Sequence, residues 1–199
     1  MKQPVWLLDV DGVLNAARPG WDAEARTGTA YGGGHPYRLC WAPALINRIR
    51  ALHHAGSVTL RWCSTWCADA DQVERLFGLP PLERAWTDPV DHGVAPGVKL
   101  AAARAVLDRG HRLIWTDDDA VPAGGPVHDE LVAAGRALLI APTATRGPQP
   151  AHLDEIEAFA SDTSTPDTAG TDATHGYAGT ADGGADALRR ARRLLGHAT

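Results

Sequence analysis

Short apolar runs alternate with amphipathic segments, and this pattern constrains the fold of the 199-residue chain more than any other feature. Residues 4–10 (PVWLLDV) form a continuous apolar run with the length of a strand that is buried on both faces. Further strands are predicted at 57–65, 111–119 and 136–143. Helices are predicted at 42–56, 68–78, 98–110, 126–135 and 151–161. This alternation predicts a Rossmann-like α/β fold of three layers, with a central parallel sheet between two layers of helices.

The other segments divide the chain into one domain, residues 1–161, and a tail. Residues 15–39 are rich in glycine and read as an irregular excursion with room for a small hairpin, and 79–97 reads as a loop with room for one short strand. Residues 162–186 contain almost no large apolar side chains, which predicts a disordered linker. Residues 187–199 predict a short basic helix, either a loosely attached tail or a contact for a partner, membrane surface or nucleic acid.

Composition excludes some classes of protein. The net charge of −5 gives no general electrostatic footprint for nucleic acid, although a local basic patch stays open. No apolar run approaches the roughly 20 residues of a membrane span, and no signal peptide is visible. Three cysteines without a secretion signal predict reduced thiols in a cytosolic protein.

Polar side chains collect where three of the predicted strands end. They are Asp9 and Asp11 after the first strand, Ser64 and Thr65 after the second, and Asp117, Asp118 and Asp119 after the third. The ends of parallel strands meet at one rim, where two carboxylates 4 Å apart repel by about 4 kcal/mol at an effective dielectric of 20. A hard divalent cation relieves this repulsion. Because no histidines cluster with these carboxylates, the pattern favours Mg²⁺ over zinc.

Lys99 is the second notable feature, because it is one of only two lysines among 19 basic residues and the other, Lys2, is near the terminus. It lies at the start of the helix that leads into the third strand. A compact ammonium and a guanidinium are not interchangeable, so a lone internal lysine in an arginine-rich chain indicates a position where the ammonium matters.

Four motifs in order resemble those of the haloacid dehalogenase (HAD) superfamily. The segment DVDGVLN (9–15) is similar to its first motif, LRWCST (60–65) to its second, Lys99 in GVKLAAARAVL to its third, and LIWTDDD (113–119) to its fourth. More narrowly, LDVDGVLN, GLPPL and HLDEIEAF resemble the HAD domain associated with "Swiss Army knife" RNA-repair proteins. The resemblance covers residues 5–160 and implies a HAD-like fold. The short 15–39 insertion leaves room only for a small cap or flap, or for no cap.

The resemblance implies a role for each motif residue. Asp9 would be the nucleophile that forms an aspartyl-phosphate, and Asp11 the general acid and base. Mg²⁺ would be held by Asp9, the backbone carbonyl of Asp11 and Asp117, with Asp118 in or just behind this shell. Ser64 would bind a phosphoryl oxygen, with Thr65 as its rival for that role, and Lys99 would neutralise Asp9 and the phosphoryl group. Asp119 is expected to be structural or to lie behind the metal ligands.

These roles imply a Mg²⁺-dependent phosphomonoester hydrolase. Its partner would be a phosphorylated substrate, either a small molecule such as a nucleotide or a nucleic-acid end. Two alternatives use the same residues: a non-catalytic HAD module that binds a phosphorylated partner, and a phosphotransferase that uses the same intermediate. The intact set of Asp9, Asp11, Lys99 and Asp117 speaks against the binding module. The shortness of the cap speaks against the phosphotransferase, which has to exclude water.

Overall fold

The structure, a computed structural model, describes residues 3–162. Seven strands and five helices alternate along them, with a 3₁₀ helix at Thr65–Asp69. The strands are β1 (Val5–Leu8), β2 (Arg26–Gly32), β3 (His35–Trp41), β4 (Thr59–Trp62), β5 (Glu83–Arg84), β6 (Leu113–Thr116) and β7 (Ala137–Ile140). The helices are α1 (Pro43–His54), α2 (Ala70–Phe77), α3 (Ala95–Asp108), α4 (Pro126–Val132) and α5 (Pro150–Ser161). The predicted tail, and the predicted linker apart from Asp162, lie outside the described residues.

Five parallel strands form the central sheet in the order β5-β4-β1-β6-β7. The chain moves outward from β1 to β4 and β5 and then crosses back to β6 and β7 on the other side of β1. In open α/β sheets the crevice beyond the carboxyl ends of the strands, where the direction of travel reverses, is the usual place for a ligand. Here that crevice lies between β1 and β6.

The α/β architecture with a parallel sheet flanked by helices confirms the coarse fold prediction. The strand Val5–Leu8 is buried along its whole length, as a central strand covered on both faces must be. Helix α1 begins at Pro43 and buries Leu45, Ile49 and Leu52, which recur at helical spacing.

Several boundaries differ from the prediction. Strand β4 ends at Trp62 instead of Thr65, because the Ser64 hydroxyl accepts a hydrogen bond from the Trp66 backbone N–H and starts the 3₁₀ helix. Helix α3 begins at Ala95, one turn earlier than predicted, with Pro96 in its first turn. The short strand allowed for in 79–97 is real, and its two residues make β5 an edge of the sheet.

The excursion after β1 contains an antiparallel hairpin, β2–β3, which forms its own two-stranded sheet. Its base is closed because the Ala16 N–H donates to the Cys40 carbonyl at 2.9 Å, and the Cys40 N–H donates to Asn15 Oδ1 at 2.9 Å. Ala30 and Leu39 are buried, so one face of the hairpin is packed against the domain. Tyr31 and Tyr37 are among the few large apolar side chains exposed within the described residues.

Candidate active site

Strands β1 and β6 place Asp9 and Asp117 next to each other at the switch point. Leu8 pairs with Thr116, so the residue that follows each strand emerges at the same level of the sheet. The Asp9 N–H donates to the Thr116 carbonyl at 3.2 Å. A side-chain bond from Trp6 Nε1 to Thr116 Oγ1, 2.9 Å long, also joins the two strands. The separation of the two carboxylates is therefore set by the backbone of the sheet.

Lys99 joins these two carboxylates below the surface. Its Nζ lies 2.7 Å from Asp9 Oδ2 and 2.8 Å from Asp117 Oδ2. The side chains of Asp9, Lys99 and Asp117 are at most 7% exposed, so water screens these contacts poorly. Helix α3 runs back toward the start of β6, which puts its first turns at the rim and allows Lys99 to reach inward.

Burial and crowding disturb the ionisation of this group. Burial raises the pKa of Asp9 above its usual value, although Lys99 and the Ser64 hydroxyl act in the opposite direction. Burial and the neighbouring Asp9 carboxylate raise the pKa of Asp117 to about 7. Burial alone would lower the pKa of Lys99, but the two carboxylates outweigh it and the pKa is raised. Lys99 is therefore held as the cation.

Four carboxylates meet at this point. Each of Asp9, Asp117, Asp118 and Asp119 offers an oxygen, and these four oxygens lie within 4.8 Å of one another. Within residues 3–162, Lys99 is the only cation in an ion pair with any of them, and its distance to Asp119 is already 3.8 Å. The cluster therefore holds more carboxyl groups than one lysine can neutralise when all of them are ionised.

Asp117 is the most deeply buried carboxylate of the cluster. Its Oδ1 accepts hydrogen bonds from the backbone N–H groups of Asp119 (3.2 Å) and Ala120 (2.9 Å). Its Oδ2 is buried and faces the Lys99 ammonium at 2.8 Å. A buried carboxylate oxygen of this kind, beside further carboxylates, suits the hard oxygen-ligand preference of Mg²⁺.

Gly12 makes room for Asp118. The glycine has φ +71°, a conformation that side chains disfavour, and a Cβ built on it would collide with the Asp118 carboxylate. Asp118 is half-buried, and burial raises its pKa. The motif glycine thus brings the turn after β1 against the acids after β6.

Asp11 lies outside the carboxylate cluster. Its side chain is exposed, its Oδ1 accepts from Asn15 Nδ2 at 2.7 Å and its Oδ2 accepts from Trp66 Nε1 at 2.9 Å. An extended backbone would place the Asp9 and Asp11 side chains on the same side, but strand β1 ends at Leu8, before both residues. The Asp11 carboxylate stands apart from Asp9 on the side of the hairpin and is exposed.

Ser64 and Thr65 differ in their surroundings. Ser64 is fully buried and its hydroxyl lowers the pKa of Asp9, whereas Thr65 is half-buried at the first position of the 3₁₀ helix. Both follow β4, the other neighbour of β1. Of the two, Ser64 is the residue that acts on the Asp9 carboxylate.

The structure thus brings Asp9, Ser64, Lys99, Asp117 and Asp118 together and leaves the Asp11 side chain beside them. Sequence reasoning assigned no role to Asn15, and for Trp66 it weighed packing around the strand ends, the favoured interpretation, against base stacking. The one available signal was their proximity along the chain: Asn15 closes the first motif, and Trp66 directly follows the second.

The three cysteines are free thiols in the structure, and Cys63 and Cys67 are buried. Burial raises the pKa of Cys63 well above its usual value, and burial also raises that of Cys67. Both are therefore held as neutral thiols, unsuited to act as nucleophiles.

No helix within residues 3–162 combines the length and the apolar character that crossing a bilayer requires. Comparisons with protein-family models, with curated proteins and with solved structures give no match for this chain. The resemblance to haloacid dehalogenases therefore rests on the four sequence motifs.

Proposed function

We propose that the protein hydrolyses phosphomonoesters in a Mg²⁺-dependent reaction with Asp9 as the nucleophile. One observation carries the proposal: a buried Asp9–Lys99–Asp117 network stands at the switch point of a parallel sheet, with more carboxylates around it than its lysine neutralises. A network kept only for stability would not need the excess charge, which costs free energy until a cation binds.

The first chemical step forms a bond between a carboxylate oxygen of Asp9 and phosphorus, while the bond from phosphorus to the leaving oxygen breaks. Asp11 gives its proton to that oxygen, so the alcohol leaves neutral. In the second step Asp11, now a carboxylate, takes a proton from the water that attacks phosphorus. The bond from phosphorus to the Asp9 oxygen breaks, which restores the Asp9 carboxylate and releases inorganic phosphate. Acid–base assistance of this kind is typically worth about 10²–10⁴ in rate.

The remaining residues position the reacting groups and balance charge. Lys99 holds Asp9 at 2.7 Å and keeps its positive charge beside the incoming phosphoryl group. Ser64 orients the Asp9 carboxylate and is the first candidate to hydrogen-bond a phosphoryl oxygen, with Thr65 as the alternative. Mg²⁺ would be held by Asp9, the Asp11 carbonyl, Asp117 and Asp118, and when bound it supplies neutralisation of the charge on the phosphoryl oxygens.

The proposed substrate is a bulky phosphomonoester, such as a nucleotide or a nucleic-acid end. The described residues include no second domain that covers the switch point, only the small hairpin β2–β3. Tyr31 and Tyr37 on this hairpin are about half exposed, at 53% and 49%, and offer aromatic rings on which a base can stack. The resemblance to RNA-repair proteins points to the same class of substrate.

A phosphatase screen tests the proposal. Wild type and Asp9→Asn are compared on small phosphates, mononucleotides and 3′- or 5′-phosphorylated oligonucleotides, each with Mg²⁺ or with EDTA. Asp154→Asn, at an exposed carboxylate on α5, is the matched control. We expect turnover by wild type and Asp154→Asn with Mg²⁺ only, and for Asp9→Asn only the rate of the EDTA arm.

Two outcomes contradict the proposal. Activity that survives Asp9→Asn excludes Asp9 as the nucleophile. Absence of turnover on every substrate, together with binding of Mg²⁺, favours the alternative in which the site binds a phosphorylated partner without hydrolysing it.

A further inference from the structure

Both oxygens of the Asp11 carboxylate are held by side chains from different parts of the chain. Asn15 Nδ2 donates to Oδ1 at 2.7 Å, and Trp66 Nε1 donates to Oδ2 at 2.9 Å. Asp11 is exposed, whereas the Trp66 side chain that reaches it is only 6% exposed. An exposed carboxylate normally samples several rotamers, and two donors from a packed framework restrict it to one.

Each of these two donors is in turn fixed by the hairpin β2–β3. The ring of Tyr37 meets that of Trp66 edge to face, with centroids 5.5 Å apart. The indole also packs so closely against Gly32 that a Cβ at this glycine would lie 3.2 Å from the ring. At the base of the hairpin, the Cys40 N–H donates to Asn15 Oδ1 at 2.9 Å, which fixes the amide so that its nitrogen faces Asp11.

A third contact holds the hairpin tip to the element that carries Trp66. The Gly33 N–H donates to Asp69 Oδ2 at 2.9 Å, and Asp69 is the last residue of the 3₁₀ helix that contains Trp66. The tip, the indole and the carboxylate therefore form one continuous set of contacts. A displacement of the hairpin would move both donors to Asp11.

We propose that Trp66 is a positioning residue for Asp11, and that the hairpin β2–β3 sets the position of Trp66 and thereby controls proton transfer at the site. This inference rests on the proposed function for the role of Asp11 as general acid and base. The hairpin is then part of the proton-transfer machinery as well as a wall of the binding site. A substrate that contacts Tyr37 would act on Asp11 through Trp66.

The two hydrogen bonds leave part of the Asp11 carboxylate available to other groups. A carboxylate offers about four lone-pair sites, and the indole and the amide use two of them. One site on each oxygen stays open, so a further group can hydrogen-bond the carboxylate while both donors stay in place.

Kinetics of Trp66→Phe test this role, because phenylalanine keeps an aromatic ring but lacks the N–H. The control is Trp21→Phe, which also removes one indole hydrogen bond, the 2.8 Å bond to the Pro148 carbonyl. Two substrates are compared: 4-nitrophenyl phosphate, whose leaving group needs little protonation, and glycerol 2-phosphate, whose alkoxide must be protonated. We expect kcat/KM of Trp66→Phe to fall about tenfold on the alkyl ester, the scale of one hydrogen bond to a charged group, and less than about threefold on the nitrophenyl ester.

A double variant separates positioning from a structural effect. In the Asp11→Ala background, Trp66→Phe should change kcat/KM on the alkyl ester less than about twofold, because the carboxylate through which it acts is gone. Equal losses on both esters, or the same loss with and without Asp11, would overturn the proposal. Such a result would mean that Trp66 supports the fold and nothing more.

An NMR measurement tests the contacts of Trp66 with Asp11 and with Tyr37 independently of turnover. The indole N–H signal of Trp66, one of seven tryptophans, is assigned in a ¹H–¹⁵N spectrum by its loss in Trp66→Phe. We expect Asp11→Ala and Tyr37→Leu each to shift this signal more than that of Trp21. If wild type lacks turnover, the proposed function fails and this spectrum alone decides the positioning. A Trp66 signal that stays in place in Asp11→Ala overturns it.

Discussion

Replacing Lys99 by methionine should be the most destabilising single change at the site. Lys99 Nζ lies 2.7 Å from Asp9 Oδ2 and 2.8 Å from Asp117 Oδ2, and all three side chains are buried. At an effective dielectric of 20, each contact corresponds to a gross attraction of about 6 kcal/mol, much of which offsets the cost of burying the ammonium. Methionine preserves the volume but leaves two buried carboxylates without their cation.

The expected loss follows from the behaviour of other buried pairs. Removing one partner of a buried ion pair typically costs about 3–5 kcal/mol in the free energy of unfolding. For a chain of this length each kcal/mol lowers Tm by about 2–4 °C, so Lys99→Met should lower Tm by about 6–20 °C. The measurement is thermal unfolding followed by circular dichroism at pH 8 in EDTA.

The stability lost in Lys99→Met should become smaller as the pH falls. In wild type, burial and Asp9 already raise the pKa of Asp117 to about 7, and Lys99 holds it lower than burial alone would. Without Lys99 the raised pKa rises further, so the neutral carboxyl is favoured over a wider range of pH. In the folded variant Asp117 binds a proton more readily than it does in the unfolded chain. The stability lost relative to wild type is therefore greatest at pH 8 and diminishes toward pH 5.

A second cation on the same helix provides the control. Arg104 makes a bidentate ion pair with Glu130, at 2.7 and 2.6 Å, but both side chains are roughly half exposed. Exposed pairs contribute about 0–1 kcal/mol, so Arg104→Met should change Tm little. If Lys99→Met costs no more than Arg104→Met, or if its deficit does not depend on pH, the account of the buried network is wrong.

Two further predictions concern the metal and the turn after β1. Mg²⁺ at about 100 times its dissociation constant should stabilise wild type by about 2.7 kcal/mol, seen as a rise in Tm that EDTA reverses; no rise up to millimolar Mg²⁺ would contradict the metal assignment. Gly12→Ala should lower both Tm and the Mg²⁺-induced shift, because its methyl group collides with Asp118. Gly33→Ala, also at positive φ but with nothing within 4 Å, should lower the free energy of unfolding by only about 1–2 kcal/mol and leave the Mg²⁺-induced shift in Tm intact. Equal effects of the two variants would refute the role of Gly12.

The sequence predicts the sheet because periodicity is a local property. A fully apolar run such as Val5–Leu8 has few folds in which it is buried on both faces, and its alternation with helices requires parallel pairing. Strand β5 was harder to predict because two residues carry no periodicity. Glu83 and Arg84 become a strand only because Trp62 of β4 offers a free edge beside them.

The candidate site could likewise be predicted only in part. Residues that directly follow strands meet at the rim by topology, so the closeness of Asp9 to Asp117 follows from the strand order. Asp119 was expected to be structural or to lie behind the metal ligands; the structure places its carboxylate within 4.8 Å of the other three, with a side chain that is 70% exposed. The bond from Trp66 to Asp11 spans 55 residues, and a contact of that kind leaves no periodic trace in the sequence.

The closed base of the hairpin has a consequence for how this protein can be enlarged. A backbone hydrogen bond of 2.9 Å joins Ala16 to Cys40 at the two ends of the insertion, so this closure fixes where the insertion begins and ends but not how long it is. Doubling the length of a flexible loop costs only about 0.6 kcal/mol, and the tip glycines Gly33 and Gly34 have no neighbour that an added Cβ would touch. A folded module grafted at the tip would therefore leave the closed base intact, but it would have to keep the hydrogen bond from the Gly33 N–H to Asp69 for Trp66 to stay in place.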